Sequence, residues 1–227
     1  MKQQNERRTE MVNGVIFDMD GLMFDTERIW DGCWEPVCNR MGMSYKKGLS
    51  EAVRGTSGET LHRILRSFYG ENFDAPSAEN LLYEVSEEIF AKPVPKKVGL
   101  DELLNWLEAK HIPAAVASSC RGATVYRNLN NWNLVPRFKA VITGEMVSMT
   151  KPSPDIFLLA AQKLGTRPEE TLVLEDSYNG IRAGAEGGFI TVMIPDLCPV
   201  TDEMRTLCTA ECATLHEVCR LLQQARL

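Results

Sequence analysis

The chain has 227 residues, of which 44% are hydrophobic and 25% are charged, a balance typical of a globular protein with an ample core. Its formal net charge of -6 provides no basic field for nucleic acid or for an anionic membrane surface, so we expect neither as a partner. No apolar run approaches the roughly 20 residues that a membrane-spanning helix needs.

Residues 1–10 are polar and highly charged, and no apolar signal-peptide core follows them, so we expect a disordered lead-in. The chain has seven cysteines but no Cys-x-x-Cys pair, so it has neither a zinc ribbon nor a thioredoxin-like motif. Since reduced thiols are typical of intracellular proteins, we expect a cytoplasmic location.

The first structured segment is an apolar run that ends in Asp18 and Asp20. Residues two apart on an extended chain point to the same side, so the two carboxylates start as neighbours. Like charges this close repel each other unless a cation or a bound proton relieves them. Taken alone, the pair is as typical of a strand-to-loop exit as of a metal site. A calcium EF-hand loop fits poorly, because the twelfth position holds Ile29 rather than Glu.

Residues 28–92 have an almost wholly helical pattern. Helices are expected over 27–41, 61–66 and 78–91, with a polar glycine turn at 54–60 and with Pro93 as a stop. This block is predicted to form a small domain inserted into a larger one made of residues 11–27 and 93–227.

Helices and strands alternate from Gly99 onward. The predicted elements are helix 101–111, strand 112–117, helix 121–132, strand 138–142, helix 153–164, strand 171–174, helix 179–186 and strand 189–194. Ser153 is the expected N-cap of its helix, with Pro154 at the first position and Gly165 at the end. Strands separated by single helices predict right-handed βαβ units, and so an α/β fold with a parallel sheet.

The last segment contains four residues with helix-like spacing that resembles a metal site: Cys208, Cys212, His216 and Cys219. We expect a strand over 211–215 and a helix over 216–226, which would place the four on different elements. The spacing is therefore weak evidence, and we do not expect a zinc site.

Polar residues stand at the carboxyl ends of three predicted strands: Asp18 and Asp20, then Ser118, then Glu175 and Asp176. In an open parallel sheet these ends meet at one edge, where ligands bind. Oxygen-only ligands suit Mg²⁺. The set therefore predicts a phosphoryl-transfer site, in which an Asp can act as the nucleophile.

The chain resembles the haloacid dehalogenase (HAD) superfamily, and specifically its phosphatase and β-phosphoglucomutase-like branch. Four segments show the resemblance, and they appear in the order found in that family. They are Asp18-Met19-Asp20-Gly21-Leu22-Met23-Phe24-Asp25-Thr26-Glu27, Ala117-Ser118-Ser119, Lys151-Pro152-Ser153-Pro154-Asp155, and Leu174-Glu175-Asp176-Ser177 with Gly180-Ile181-Arg182-Ala183-Gly184. The resemblance implies a Rossmann-like core with an inserted α-helical cap, and a small phosphate ester as the substrate.

The resemblance also implies roles for the acids. Asp18 would attack phosphorus, and Asp20 would protonate the leaving group and then activate water or the acceptor hydroxyl. Mg²⁺ would be held by Asp18, by the Asp20 carbonyl and by Asp176, with Glu175 in or near the coordination shell.

Ser118, Ser119 and Lys151 would bind the phosphoryl oxygens. Each also has an ordinary interpretation: a serine that ends a buried strand is commonly a helix N-cap, and a loop lysine is commonly solvated.

The choice between a phosphatase and a phosphomutase depends on the cap. Trp30 stands where the mutases have a histidine, and Gly58 stands where they have an arginine, so both departures favour a phosphatase. Trp30 and Arg54 are candidate substrate contacts, although helix packing explains Trp30 and solvation explains Arg54. Thr150 is a third departure, since the family often has glycine before the lysine.

Two other functions remain as alternatives. One is a β-phosphoglucomutase-type mutase, and the other is a non-catalytic HAD-fold binding protein, which has no need to keep both Asp18 and Asp20. A haloacid dehalogenase proper fits poorly because it needs no metal. We expect a monomer.

Overall fold

The computed structural model describes residues 12–89 and 93–227, and a six-stranded parallel sheet forms its centre. The strands are β1 (Gly14–Phe17), β2 (Ala114–Ser118), β3 (Ala140–Thr143), β4 (Thr171–Glu175), β5 (Ile190–Met193) and β6 (Ala210–Glu211). They lie in the order β3-β2-β1-β4-β5-β6. The predicted α/β fold with a parallel sheet is confirmed. The lead-in expected over residues 1–10 lies outside the described residues.

Helices follow the strands along the chain. They are α1 (Glu27–Arg40), α2 (Leu49–Val53), α3 (Gly58–Tyr69), α4 (Ala75–Ile89), α5 (Leu100–Ala109), α6 (Gly122–Asn131), α7 (Asp155–Leu164), α8 (Tyr178–Glu186), α9 (Asp202–Leu207) and α10 (Leu215–Gln223). The first four lie between β1 and β2 in the sequence.

The sheet is buried on both faces, which explains why its strands read as continuous apolar runs. In β1, Val15 and Phe17 belong to one apolar cluster and Ile16 belongs to another. All three side chains are fully buried. The alternation of side chains along the strand sends them into two separate layers of the core.

The helices α1 to α4 share an apolar cluster of their own. Its buried members include Trp34 from α1, Leu49 from α2, Leu65 from α3 and Leu82 from α4. The helical pattern of residues 28–89 therefore corresponds to a set of amphipathic helices packed around one small core.

Strand order places β1 at the centre of the functional edge. It pairs with β2 on one side and with β4 on the other, and Phe17 lies in register with Val116 and Leu174. The chain reverses its direction of sheet growth at β1, and such a switch point opens a crevice at the carboxyl ends of the strands.

Several predicted boundaries were wrong. The strand expected over 211–215 is only Ala210–Glu211, because Thr214 caps α10 by accepting a hydrogen bond from the Glu217 N–H, and so commits the following residues to the helix. Helix α10 ends at Gln223 rather than at residue 226.

Ser153 is not the N-cap of α7. Pro154 takes that position with φ -74° and ψ -5°, and its carbonyl accepts from the N–H groups of Phe157 and Leu158. The Ser153 hydroxyl instead donates to the Asp155 carboxylate at 3.0 Å. Gly165 does end the helix, with φ +76°.

Candidate active site

The loop after β1 holds the first acid of the site against the sheet. Asp18 N–H donates to the Leu174 carbonyl at 3.0 Å, which continues the ladder beyond the strand. Gly21 follows with φ +79°, and a Cβ there would lie 2.2 Å from Asp176 Oδ2. Only glycine allows this turn to come so close to the acids of β4.

Three buried carboxylates from two strands meet at the sheet edge: Asp18, Glu175 and Asp176. One oxygen from each lies within 4.8 Å of the others. Burial, together with the neighbouring carboxylates, raises the pKa of Asp18 and of Asp176 well above the ordinary value. A cluster of oxygen donors with excess negative charge is suited to a divalent cation such as Mg²⁺.

Lys151 supplies the positive charge inside this cluster. Its Nζ donates to Asp18 Oδ1, to Glu175 Oε1 at 2.7 Å and to the Ala117 carbonyl at 3.3 Å. Burial alone would lower the pKa of Lys151, but the charges of Asp18 and Glu175 outweigh it and raise that pKa. The lysine is therefore a buried, charged and fully hydrogen-bonded group, not the solvated loop residue of the ordinary interpretation.

Glu175 is fixed more tightly than its neighbours. Its Oε2 accepts from the Asp176 N–H at 2.9 Å, and from the N–H and hydroxyl of Ser177 at 2.8 and 2.9 Å. A Cβ at Gly180, on the first turn of α8, would lie 1.8 Å from Glu175 Oε1. These contacts show that Glu175 orients Lys151, in addition to contributing charge to the cluster.

Asp20 is not a member of the three-acid cluster, and its carboxylate accepts three hydrogen bonds. Trp30 Nε1–H donates to Oδ1 at 2.9 Å, and Ser118 Oγ and Cys120 Sγ each donate to Oδ2 at 3.3 Å. One carboxylate is thus held between helix α1 and the end of β2.

The two serines after β2 have different environments. Ser118 is fully buried; its Oγ donates to Asp20 and accepts from the Cys120 N–H at 3.1 Å. The Ser119 hydroxyl is also buried, has no hydrogen-bond partner among the described residues, and lines the cavity beside the acids. Ser119 is thus the serine with a free hydroxyl for a ligand.

A cavity of about 710 Å³, measured to its open mouth, lies between the sheet edge and the helices α1 to α4. Its helical wall carries three aromatic side chains, Trp30, Trp34 and Tyr83. The rings of Trp30 and Tyr83 pack edge to face, with centroids 6.0 Å apart. Trp30 therefore both packs within the helices and faces the cavity.

Arg54 lies in the same cavity wall and is paired. Its Nε donates to Asp31 Oδ1 at 3.2 Å, its Nη2 donates to Asp31 Oδ2, and Glu27 Oε2 lies 3.6 Å from Nε. Burial opposes the charge, but the Asp31 contacts outweigh it and raise the pKa of Arg54. The solvated-arginine interpretation does not hold, since the side chain is only 15% exposed.

The residues of the site that the sequence did not predict include Glu27, Asp31, Tyr83 and Cys120. Glu27 gave a signal, since it ends the opening motif; burial and then the charges of Asp20 and Asp18 raise its pKa. No sequence signal indicated the other three, because their positions depend on helix packing.

Thr150 stands where the family often has glycine. Its hydroxyl donates to the Ser57 carbonyl at 3.0 Å and so connects the Lys151 loop to the helices.

The C-terminal cysteines form no metal site in the described part of the chain, where the acid cluster is the one group with metal-binding geometry. All seven cysteines are unpaired. Among the described residues, no helix combines the length and the apolar character that crossing a membrane requires.

Comparisons with known proteins agree with this geometry. A family model described as "Haloacid dehalogenase-like hydrolase" matches residues 15–194. A Drosophila melanogaster protein named "Probable pseudouridine-5'-phosphatase" is 33% identical over 194 residues, covering 82% of each chain. A Thermotoga maritima protein named "Phosphorylated carbohydrates phosphatase" is 27% identical over 177 residues, covering 78% of this chain and 82% of the other.

The likeness extends to solved structures. A β-phosphoglucomutase from Clostridium difficile superimposes with a TM-score of 0.82 at 20% identity, covering 95% of this chain and 97% of the other. At that identity the comparison establishes the shared fold.

Proposed function

Because the chain belongs to the haloacid dehalogenase-like hydrolases, and is a phosphatase of their β-phosphoglucomutase-like branch, we propose that it hydrolyses a small phosphorylated metabolite through an aspartyl-phosphate on Asp18. The observation that carries the proposal is the pairing of a buried Asp18 with Lys151, beside an Asp20 whose carboxylate is bound by Trp30, Ser118 and Cys120. These different partners provide a nucleophile and a proton carrier at one sheet edge.

In the first step, an Asp18 carboxylate oxygen attacks phosphorus and the bond to the leaving-group oxygen breaks. Asp20 gives its proton to that oxygen. In the second step, Asp20 takes a proton from water, which attacks phosphorus and releases Asp18 and inorganic phosphate. The protons and the phosphoryl group are thus balanced over the two steps.

The remaining residues bind and orient. Lys151 compensates the charge of Asp18 and opposes the effect of burial, which raises the pKa of that carboxyl. The free Ser119 hydroxyl is suited to donate to a phosphoryl oxygen. Ser118 acts through Asp20, whose Oδ2 it contacts at 3.3 Å.

We propose that Mg²⁺ is the metal, since the donor set is entirely carboxylate and carbonyl oxygen. Asp18, Asp176 and the Asp20 carbonyl would hold it, and Glu175 would lie at the edge of the shell. When bound, the cation neutralises charge on the transferring phosphoryl group.

Residues 28–92 are proposed to be the cap over this site. A cavity with an aromatic side chain, Trp30, and a paired charged group, Arg54, in its wall suits a sugar or polyol phosphate. The names of relatives support this substrate class, since they include a fructose-1-phosphate phosphatase and a glycerol-3-phosphatase. The seven free thiols support a cytoplasmic location.

The test is phosphate release from a panel of sugar, polyol and nucleotide monophosphates with Mg²⁺. We expect release from one chemical group, loss of release in Asp18→Asn, and near-normal release in Asp101→Asn, which makes the same change at an acid on α5 paired with Lys96. Release that survives in Asp18→Asn would contradict the mechanism. Conversion of glucose 1-phosphate to glucose 6-phosphate without release would show a mutase instead.

A further inference from the structure

The wall of the cavity would face the leaving group of the substrate. Among the described residues that line it, one is basic, Arg54. The other charged groups of the lining are acidic: Asp18, Asp20, Glu27, Asp31 and Asp176. The charge that a substrate meets beyond its phosphoryl group therefore depends on how Arg54 is compensated.

Arg54 is compensated by a two-point ion pair. Nε and Nη2 donate to the two carboxylate oxygens of Asp31, from helix α1, while Glu27 Oε2 lies 3.6 Å from Nε. Asp31 alone balances the charge of Arg54, so the Asp31–Arg54 pair presents no uncompensated positive charge. Apart from a contact with the Cys198 side chain, the other N–H donors of Arg54 and the Asp31 oxygens remain able to hydrogen-bond neutral hydroxyl groups.

The other nearby cations do not serve this wall. Lys151 is fully engaged by Asp18, Glu175 and a carbonyl, and it does not line the cavity. Arg121 lines the neighbouring cavity, where its guanidinium lies 4.1 Å from the centroid of the Tyr83 ring and donates to Asn80 Oδ1 at 2.6 Å.

Uncharged polar residues such as Ser50 and Thr56 also line the cavity, and the larger side chains of the wall are apolar or aromatic: Trp30, Trp34, Val53, Leu61, Leu82 and Tyr83. A second phosphate or a carboxylate placed here would lose its hydration without gaining an opposite charge. A neutral group with hydroxyls on one side and a carbon face on the other would lose little.

From these contacts we propose that the Asp31–Arg54 pair is a charge filter, which restricts the substrate to phosphate monoesters whose leaving group is uncharged and hydroxylated. The inference rests on the proposed function and narrows it, since it disfavours bisphosphates and phosphorylated acids. It also disfavours a mutase cycle that passes through a sugar bisphosphate.

The experiment measures binding by calorimetry with Mg²⁺, using Asp18→Asn protein so that no ligand is consumed. Two ligand pairs differ by one anionic group: glycerol 3-phosphate with 3-phosphoglycerate, and fructose 1-phosphate with fructose 1,6-bisphosphate. In at least one pair, we expect the ligand whose leaving group is uncharged to bind about tenfold more tightly than the ligand with the additional anionic group. This is a difference of about 1.4 kcal/mol. Binding of both members equally, or of neither, would overturn the inference.

Adding Asp31→Asn removes the two-point partner of Arg54 and leaves Glu27, whose Oε2 lies 3.6 Å from Nε, as the remaining acid beside its charge. The ligands with an additional anionic group, 3-phosphoglycerate and fructose 1,6-bisphosphate, should then bind at least about fivefold more tightly. The Kd of the ligands with an uncharged leaving group should change by less than about threefold. Asp31→Glu, which keeps the charge, should keep the preference, as should Glu88→Gln, an exposed acid of α4 paired with Arg40. Asp31 is 27% exposed, so these changes are compatible with folding.

Two results would count against the filter in different ways. An unchanged preference in Asp31→Asn would show that the pair does not set it. Protein with Asp31 intact could instead bind the ligands with an additional anionic group more tightly. Loss of that binding in Arg121→Gln would place an anion site in the neighbouring cavity.

A binding preference without turnover in the wild-type chain would refute the proposed function, and the charge filter would still hold.

Discussion

The hydrogen bond from Trp30 to Asp20 gives a quantitative prediction about catalysis. Trp30→Phe removes the Nε1–H donor, which lies 2.9 Å from Asp20 Oδ1, and keeps an aromatic ring beside Tyr83. A hydrogen bond to a charged group contributes about 1.5–3 kcal/mol. Because Ser118 and Cys120 still donate to the other oxygen of Asp20, we take the lower value.

A loss of about 1.5 kcal/mol corresponds to roughly a tenfold fall in rate. We expect kcat/KM to fall by about that factor for an alkyl phosphate, whose leaving group needs a proton from Asp20. For p-nitrophenyl phosphate, whose leaving group departs as a stable anion, the change should be less than about twofold. The assay is steady-state kinetics on the two substrates.

Trp34→Phe is the matched control. Trp34 lies one helical turn further along α1 and lines the same cavity, and the indole N–H that reaches Asp20 comes from Trp30 instead. The control should leave the ratio of the two substrates unchanged, with folding checked by thermal melting. An equal loss on both substrates in Trp30→Phe would refute the reasoning, because it would assign the effect to the ring rather than to the N–H group.

Three further predictions concern the buried charges. Lys151→Met leaves Asp18 and Glu175 without their counter-charge, so we expect the free energy of unfolding in urea to fall by about 3–5 kcal/mol and turnover to be lost. As a control, Lys110→Met at an exposed position should change the free energy of unfolding by less than about 0.5 kcal/mol. An equally small effect at Lys151 would contradict the ion-pair argument. Burial raises the pKa of Asp18 and of Asp176 in the folded chain, so the metal-free protein takes up protons on folding and its Tm should rise as the pH falls from about 8 towards about 5, near ordinary carboxyl pKa values. Mg²⁺ should raise Tm more at pH 8 than at pH 6, and a Tm gain that is equal at both would count against a carboxylate metal site.

Much of the architecture follows from short stretches of sequence. The apolar runs that end in Asp18, Ser118 and Glu175 are strands because both of their faces are buried, and single intervening helices make the sheet parallel. Parallel strands expose their carboxyl ends at one edge, so the polar residues that follow them had to meet there. Boundaries were less predictable: Ser153 and the segment after residue 210 depend on which of two neighbouring residues caps a helix.

The sequence by itself therefore determined the α/β class, the edge that carries the acids and the acids themselves, because strand periodicity and strand direction are local properties. Tertiary structure alone decided which serine keeps a free hydroxyl, that Trp30 donates to Asp20, and that Asp31 compensates Arg54. These contacts join separate elements, and they depend on the distances and angles at which helices pack on the sheet and on one another. No pattern within a single element specifies that packing, since a helix periodicity shows which face is buried but not what lies against it.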